Sequence, residues 1–223
     1  MHPAADPSSL WDILLLTLRV TGIAMVAAAL LGIPVGAVVG LSRFPGRRLA
    51  VALLYTGMGL PPVVVGLVVY LVLSRSGPLG SLGWLFTPTA MVLAQAIIAF
   101  PLVAGITLAT MEAIDIQLRL QLRSLGASRV QETWTVLGEA REGLVAAVLA
   151  GFGWIISEVG AAMLVGGNID GQTRVLSTAI VLETRRGEFG MALALGGWLL
   201  SLAFVVNVLL IRLQSRAPWL PGR

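Results

Sequence analysis

The chain has 223 residues, of which 57% are hydrophobic and only 12% charged, and its mean hydropathy is +0.92. That composition excludes an ordinary water-soluble globule, whose surface at this length needs charge spread throughout, so lipid must cover the outside. There is no cysteine for disulfides or thiolate metal sites, no lysine for Schiff-base chemistry or a phosphate loop, and one histidine, His2, in the N-terminal tail.

A charge at the bilayer centre is costly, while about 20 apolar residues suffice to cross, so the intervals between charges predict the spans. The first is residues 20–42, uncharged between Arg19 and Arg43. The tail before it carries Asp6 and Asp12 and no basic n-region, so this stretch is expected to be retained rather than cleaved as a signal peptide. The second is 49–73, between Arg48 and Arg75, with Pro61 and Pro62 mid-span, where they must interrupt the helical hydrogen bonding. Backbone exposed at that depth is tolerated where it faces protein or a water-lined path, so the proline pair is either a structural kink or part of a pathway. Gly77, Pro78, Gly80 and Gly83 then read as loop, and the third span is 88–111. The fourth, 143–165, contains one acid, Glu158, and the fifth is 189–211.

Arginine placement predicts an N-terminus outside and a C-terminus inside. The inner side then holds Arg43, Arg47, Arg48, Arg119, Arg123, Arg129, Arg141, Arg212, Arg216 and Arg223, against Arg19, Arg75, Arg174, Arg185 and Arg186 outside. The net charge of +4 is therefore topological, and no nucleic-acid partner is expected. No internal repeat is convincing, so the chain reads as one all-α transmembrane domain over residues 1–223. Five helices make a thin wall for a pore, which calls for a second copy or a sister subunit.

Residues 112–142 form the longest polar segment on the expected inner side, with periodic apolar residues. Leu118, Leu122 and Leu125 recur at helical spacing, as do Val130, Trp134 and Leu137, giving two short amphipathic helices separated by Gly126. Two readings are open: a loop packed on the helix ends, or a docking element in which Ser128 caps the second helix and Arg129 and Trp134 enter a partner's groove.

The string Leu125-Gly126-Ala127-Ser128-Arg129, followed by Leu137-Gly138-Glu139-Ala140-Arg141-Glu142-Gly143-Leu144, resembles the cytoplasmic "EAA" loop of permease subunits of ABC importers. It departs at Leu120-Gln121-Leu122, where Glu-Ala-Ala is usual, and at Gly138, where proline is usual. A second resemblance, to oxyanion permeases of the tungstate type, close to the molybdate and sulfate types, lies in Val165-Gly166-Gly167-Asn168-Ile169, Leu182-Glu183-Thr184 and Arg186-Gly187-Glu188-Phe189. Leu60-Pro61-Pro62-Val63 and Ser74-Arg75-Ser76-Gly77-Pro78 fit the same branch. The resemblance implies a type I importer permease in the bacterial or archaeal inner membrane, working as a dimer. It further implies a separate ATPase that binds ATP and magnesium, and an extracytoplasmic oxyanion-binding protein. No cofactor is expected on this chain itself. The coupling residues would be Leu125, Gly126, Ala127, Ser128, Arg129, Trp134, Glu139 and Arg141.

Glu158 is the one acid embedded in an expected span, where such groups face a bundle interior or a water-filled cavity. It is either a gate residue, with Arg174, Arg185 or Arg186 as candidate partners, or a hydrogen-bonded structural carboxylate. With Pro61, Pro62 and Asn168 it completes the pathway or gate candidates. Gly166, Gly167 and Asn168 read as helix-ending residues, and Val175, Leu176, Ala179 and Ile180 as the apolar face of a short helix lying on the outer membrane surface. An intramembrane serine-histidine protease is excluded because His2 is the only histidine, and an aspartyl dyad because no expected span contains aspartate. A membrane assembly subunit is the remaining alternative to a transporter.

Overall fold

The computed structural model describes residues 7–215, so His2, Asp6, Arg216 and Arg223 lie outside the described residues. Ten α-helices follow in order: α1 Pro7–Leu41, α2 Arg47–Met58, α3 Pro62–Leu73, α4 Pro88–Ala113, α5 Ile116–Ser124, α6 Arg129–Glu139, α7 Arg141–Ile156, α8 Gly160–Gly166, α9 Leu176–Arg185 and α10 Phe189–Ser215. No strand occurs among the described residues. Three stretches, Leu10–Leu41, Pro88–Ala113 and Phe189–Arg212, are long and apolar enough to cross a membrane alone. The bent pairs α2–α3 and α7–α8 bring the number to five if each is one span.

Three of the expected spans are not plain straight helices of the expected length. The first expected span, 20–42, falls almost wholly within a longer helix: α1 begins at Pro7 and is 35 residues long, or about 52 Å at 1.5 Å per residue. That exceeds the roughly 30 Å hydrocarbon thickness, so one end of the helix projects beyond it. A charge such as Arg19 ends a lipid-buried interval without ending a helix, and proline is tolerated in a helix's first turn. The second span, expected as one helix over 49–73, turns by 100° between α2 and α3. Pro61 and Pro62 supply no N–H to continue α2; Pro61 instead takes an extended conformation (φ −62°, ψ 123°) and caps α3, with Pro62 in its first turn. The fourth, expected over 143–165, turns by 61° between α7 and α8, and Glu158 lies in the break.

At the centre is α4, packed against α1, α2, α3, α7 and α8. Its neighbour α1 approaches closely because Gly32, Gly36 and Gly40, four residues apart, present one bare stripe to it. A Cβ on Gly36 would lie 2.7 Å from Thr107 Cβ and closer still to the Ala104 carbonyl oxygen, and one on Gly40 would lie 2.7 Å from Met111 Cβ. The main core joins Val20, Ala24, Val65, Met91, Val103 and Ile155 with their neighbours.

The helix expected on the outer membrane surface is also corrected. Leu176 and Ala179, with Ile180 beside them, are packed against Ile13 and Leu14 of α1 and Leu195 of α10, and Val175 is buried in the main core. The Leu176 N–H donates to Thr17 Oγ1 (3.0 Å), tying α9 to α1 by the backbone as well.

Candidate functional site

Two regions hold the sequence-predicted residues, and each is built from local signals. The first is the polar segment between α4 and α7. Asp115 Oδ1 accepts from the Gln117 N–H (2.8 Å) and starts α5. The helix ends at Gly126, whose φ of 82° is a left-handed conformation that glycine adopts without strain. Two residues on, Ser128 Oγ accepts from the Gln131 N–H (3.3 Å) and Gln131 Oε1 accepts from the Ser128 N–H (2.8 Å), a reciprocal cap that starts α6.

One side of α6 meets the bundle. Val136 and Ala140 are buried with Ala37 of α1 and Met111 of α4. Val130 and Trp134 are turned the other way, 66% and 70% exposed, and Leu125 at the end of α5 is 84% exposed. Arg129 and Glu139 are exposed on α6, and Arg141 is exposed in the first turn of α7. Beside Trp134, α6, α7 and the Pro34–Val38 stretch of α1 enclose an open apolar groove of about 1070 Å³, with Arg129 and Arg141 among its lining residues. Three large apolar side chains are thus left bare on a well-capped helical hairpin.

Sequence reading missed the group that holds this hairpin. Glu132, in the first turn of α6, is 5% exposed and accepts from three arginine N–H groups. Its Oε1 receives Arg119 Nε (2.9 Å) and Arg123 Nη2 (3.0 Å), and its Oε2 receives Arg123 Nε (3.0 Å). These bonds, Arg123 first, hold the carboxyl below the usual carboxylate range against the opposing effect of burial. The signal available in the sequence was two arginines four residues apart on one face of α5, opposite a lone acid early in α6.

The second region is the pair of membrane breaks, which the fold brings together. The half-helices α3 and α8 pack on each other: a Cβ on Gly66 would lie 2.6 Å from Ala161 Cα, and one on Gly160 would strike Val63. The start of α3 after Pro61 and Pro62 thus touches the start of α8 after Glu158. Glu158 is buried, and its carboxylate accepts from the Ala161 (2.8 Å) and Ala162 (3.1 Å) N–H groups, satisfying two free donors at the start of α8. Its own carbonyl accepts from Ser177 Oγ (2.9 Å).

No arginine reaches Glu158 among the described residues: Arg174 pairs with Asp170 (2.8 Å) and Arg186 with Glu183 (3.0 Å). At the far end of α8, Gly167 and Asn168 both adopt left-handed backbone (φ 73° and 52°), and Asn168 Oδ1 is buried without a hydrogen-bond partner. Asn168 is therefore separated from Glu158 by the length of α8. No group of three or more metal-ligating side chains gathers among the described residues.

The fold matches that of a solved amino acid ABC transporter (TM-score 0.63), with 93% of this chain and 92% of that one covered at 21% identity. This likeness gives the fold, an all-helical membrane bundle. Residues 32–217 match the family described as binding-protein-dependent transport system inner membrane component, and the chain belongs to that family. It is a multi-pass inner-membrane permease, a transport subunit. A protein of Haloferax volcanii named "Probable anion ABC transporter permease protein" is 43% identical, over 93% of this chain and 91% of that protein. The tungstate uptake system permease protein of Peptoclostridium acidaminophilum is 41% identical, over 94% and 92%. The molybdenum transport system permease protein of Escherichia coli (strain K12) is 30% identical, over 84% and 85%.

Proposed function

We propose that this chain is the permease subunit of an ATP-driven oxyanion importer, that tungstate is its substrate, and that two copies form the translocation pathway. The observation that carries the transport reading is the capped hairpin α5–α6, which leaves Leu125, Val130 and Trp134 bare for an ATPase to cover. Tungstate is favoured because the relative named for it is 41% identical, against 30% for the one named for molybdenum.

In this reading the arginine-rich end of the bundle is cytoplasmic, and ATP and magnesium are held by the partner ATPase. ATP binding draws the two ATPase subunits together and moves the paired α6 helices with them. The permease opens outward, and an extracytoplasmic binding protein releases its anion between the copies. Hydrolysis resets the inward-facing state. Selectivity for the anion lies with the binding protein, so this chain needs only weak contacts that do not retain the substrate. Glu158 steadies the start of α8 where it meets α3, and holds that part of the pathway shut at rest.

The test is uptake into vesicles carrying the permease, its ATPase and its binding protein, read by mass detection of tungsten, with molybdate and sulfate as competitors. Tungstate uptake that molybdate competes poorly supports the assignment, while preferred molybdate or sulfate uptake overturns the substrate. Trp134→Glu should release the ATPase from the purified complex without lowering the membrane level of the permease. Retention of the ATPase and no uptake of any oxyanion by the wild type would make the chain an assembly subunit instead.

A further inference from the structure

Helix α1 ends on the arginine-rich face with its last carbonyls unable to bond within the helix, and arginines from two other elements reach back to them. Arg47 Nε, in the first turn of α2, donates to the Val39 carbonyl (2.8 Å), and its guanidinium also pairs with Glu112 at the end of α4. Arg119 Nη2, on α5, donates to the Leu41 carbonyl (3.0 Å). The same Arg119 gives its Nε to Glu132 of α6 (2.9 Å), so one guanidinium joins α6 to the end of α1.

We propose that Glu132 is a positioning residue for coupling: through Arg119 it forms the strut that carries a displacement of α6 to the end of α1. The inference rests on α6 being the ATPase-docking helix. The apolar contacts of Val136 and Ala140 also hold α6 against α1 and α4, and the Arg119 bonds add a directional link to them. A guanidinium is planar, and its N–H groups point in fixed directions. With Nε committed to Glu132 and Nη2 to Leu41, Arg119 cannot follow a shift of α6 without pulling on the end of α1. Arg123 closes a fork on the same carboxylate, which fixes the rotation of Glu132 and leaves Arg119 as its outward link. Beyond Leu41, the glycine stripe seats α1 directly on the α4 backbone, so motion delivered there enters the centre of the bundle. A buried carboxylate contributes little net stability compared with an apolar replacement, and what it adds is a defined geometry.

Two variants separate this role from simple folding, measured on the complex of permease, ATPase and binding protein in proteoliposomes. Glu132→Gln keeps the shape and removes the charge. Arg119→Lys keeps the charge but replaces the fork with a single ammonium that cannot span both acceptors. Both should accumulate in the membrane, retain the ATPase and keep basal hydrolysis, while tungstate uptake and binding-protein-stimulated hydrolysis fall about tenfold, within the usual span of a coupling free energy between sites. Wild-type uptake by both overturns the proposal, and so does failure of both to accumulate, which assigns the cluster to folding alone. If only Glu132→Gln fails to accumulate, Arg119→Lys decides by the same criterion. Failure of the docking reading looks different, because Trp134→Glu would then leave the ATPase bound.

Discussion

The contact between α1 and α4 sets the spacing at the centre of the bundle, and Gly36 tests it. A Cβ there would meet Thr107 Cβ at 2.7 Å and press harder still on the Ala104 carbonyl, where ordinary contact begins at 3.4 Å. The two helices must therefore part by up to about an ångström along a seam that also holds Gly32 and Gly40. The nearest atoms belong to backbone and to a Cβ, which cannot rotate away, so the strain falls on the helix axes. Overpacking of this kind costs about 1–3 kcal/mol; taking about 2 for Gly36→Ala lowers the midpoint by about 4–8 °C in a chain of this size. Gly22, on the same helix, has nothing within 4 Å of its Cβ position, so Gly22→Ala is the internal control: it gains helix propensity without a clash and should raise the midpoint by about 2–4 °C. The assay is thermal unfolding of the detergent-purified permease followed by size exclusion. Equal midpoints for the Gly36 and Gly22 variants would refute the argument that bare backbone contact sets the α1–α4 spacing.

Two further outcomes follow from the hydrogen-bonded carboxylates. At Glu158, alanine removes both acceptors from the start of α8 while glutamine keeps one, so Glu158→Ala should be less stable than Glu158→Gln by about 1–2 kcal/mol; chemical denaturation measures the difference, and equal stability would remove the capping role. For Glu132 the folded carboxyl is held below its unfolded value of about 4.3, so the unfolded chain binds the extra proton as pH falls. Its stabilisation is complete above that value and is lost as pH drops through the lower folded one. The midpoint difference between wild type and Glu132→Gln should thus be constant from about pH 8 to 6 and shrink below about 4.5, and a gap that widens in acid contradicts the sign.

The membrane class, the approximate spans and the two short helices around Gly126 were legible in the sequence because each depends on something local. The cost of a charge in lipid is a property of one residue, and it marks intervals along the chain without knowledge of neighbours. A proline lacks its N–H wherever it stands, so a break at Pro61 and Pro62 was readable, although the 100° turn it produces was not. Ser128 and Gln131 are three residues apart and form their cap without help from elsewhere. The likeness of the loop and of the Val165–Ile169 string to known permeases was likewise carried by contiguous residues.

Tertiary structure alone decided which of these local pieces meet. The span containing Pro61 and the span containing Glu158 are about a hundred residues apart in sequence, and only the packing of Gly66 against Ala161 sets their breaks side by side. Whether α9 lies on lipid or in the core could not be read from its apolar face, because lipid and protein are equally apolar and the choice rests on Ile13, Leu14 and Leu195 arriving from other helices. Periodicity marked Trp134 as apolar but not as bare, and it gave no role to Glu132, whose partners lie on α5 and whose reach ends at a backbone carbonyl of α1. A side chain's type is written in the sequence, whereas its partner is a matter of distance, and distances between remote residues exist only once the chain has folded.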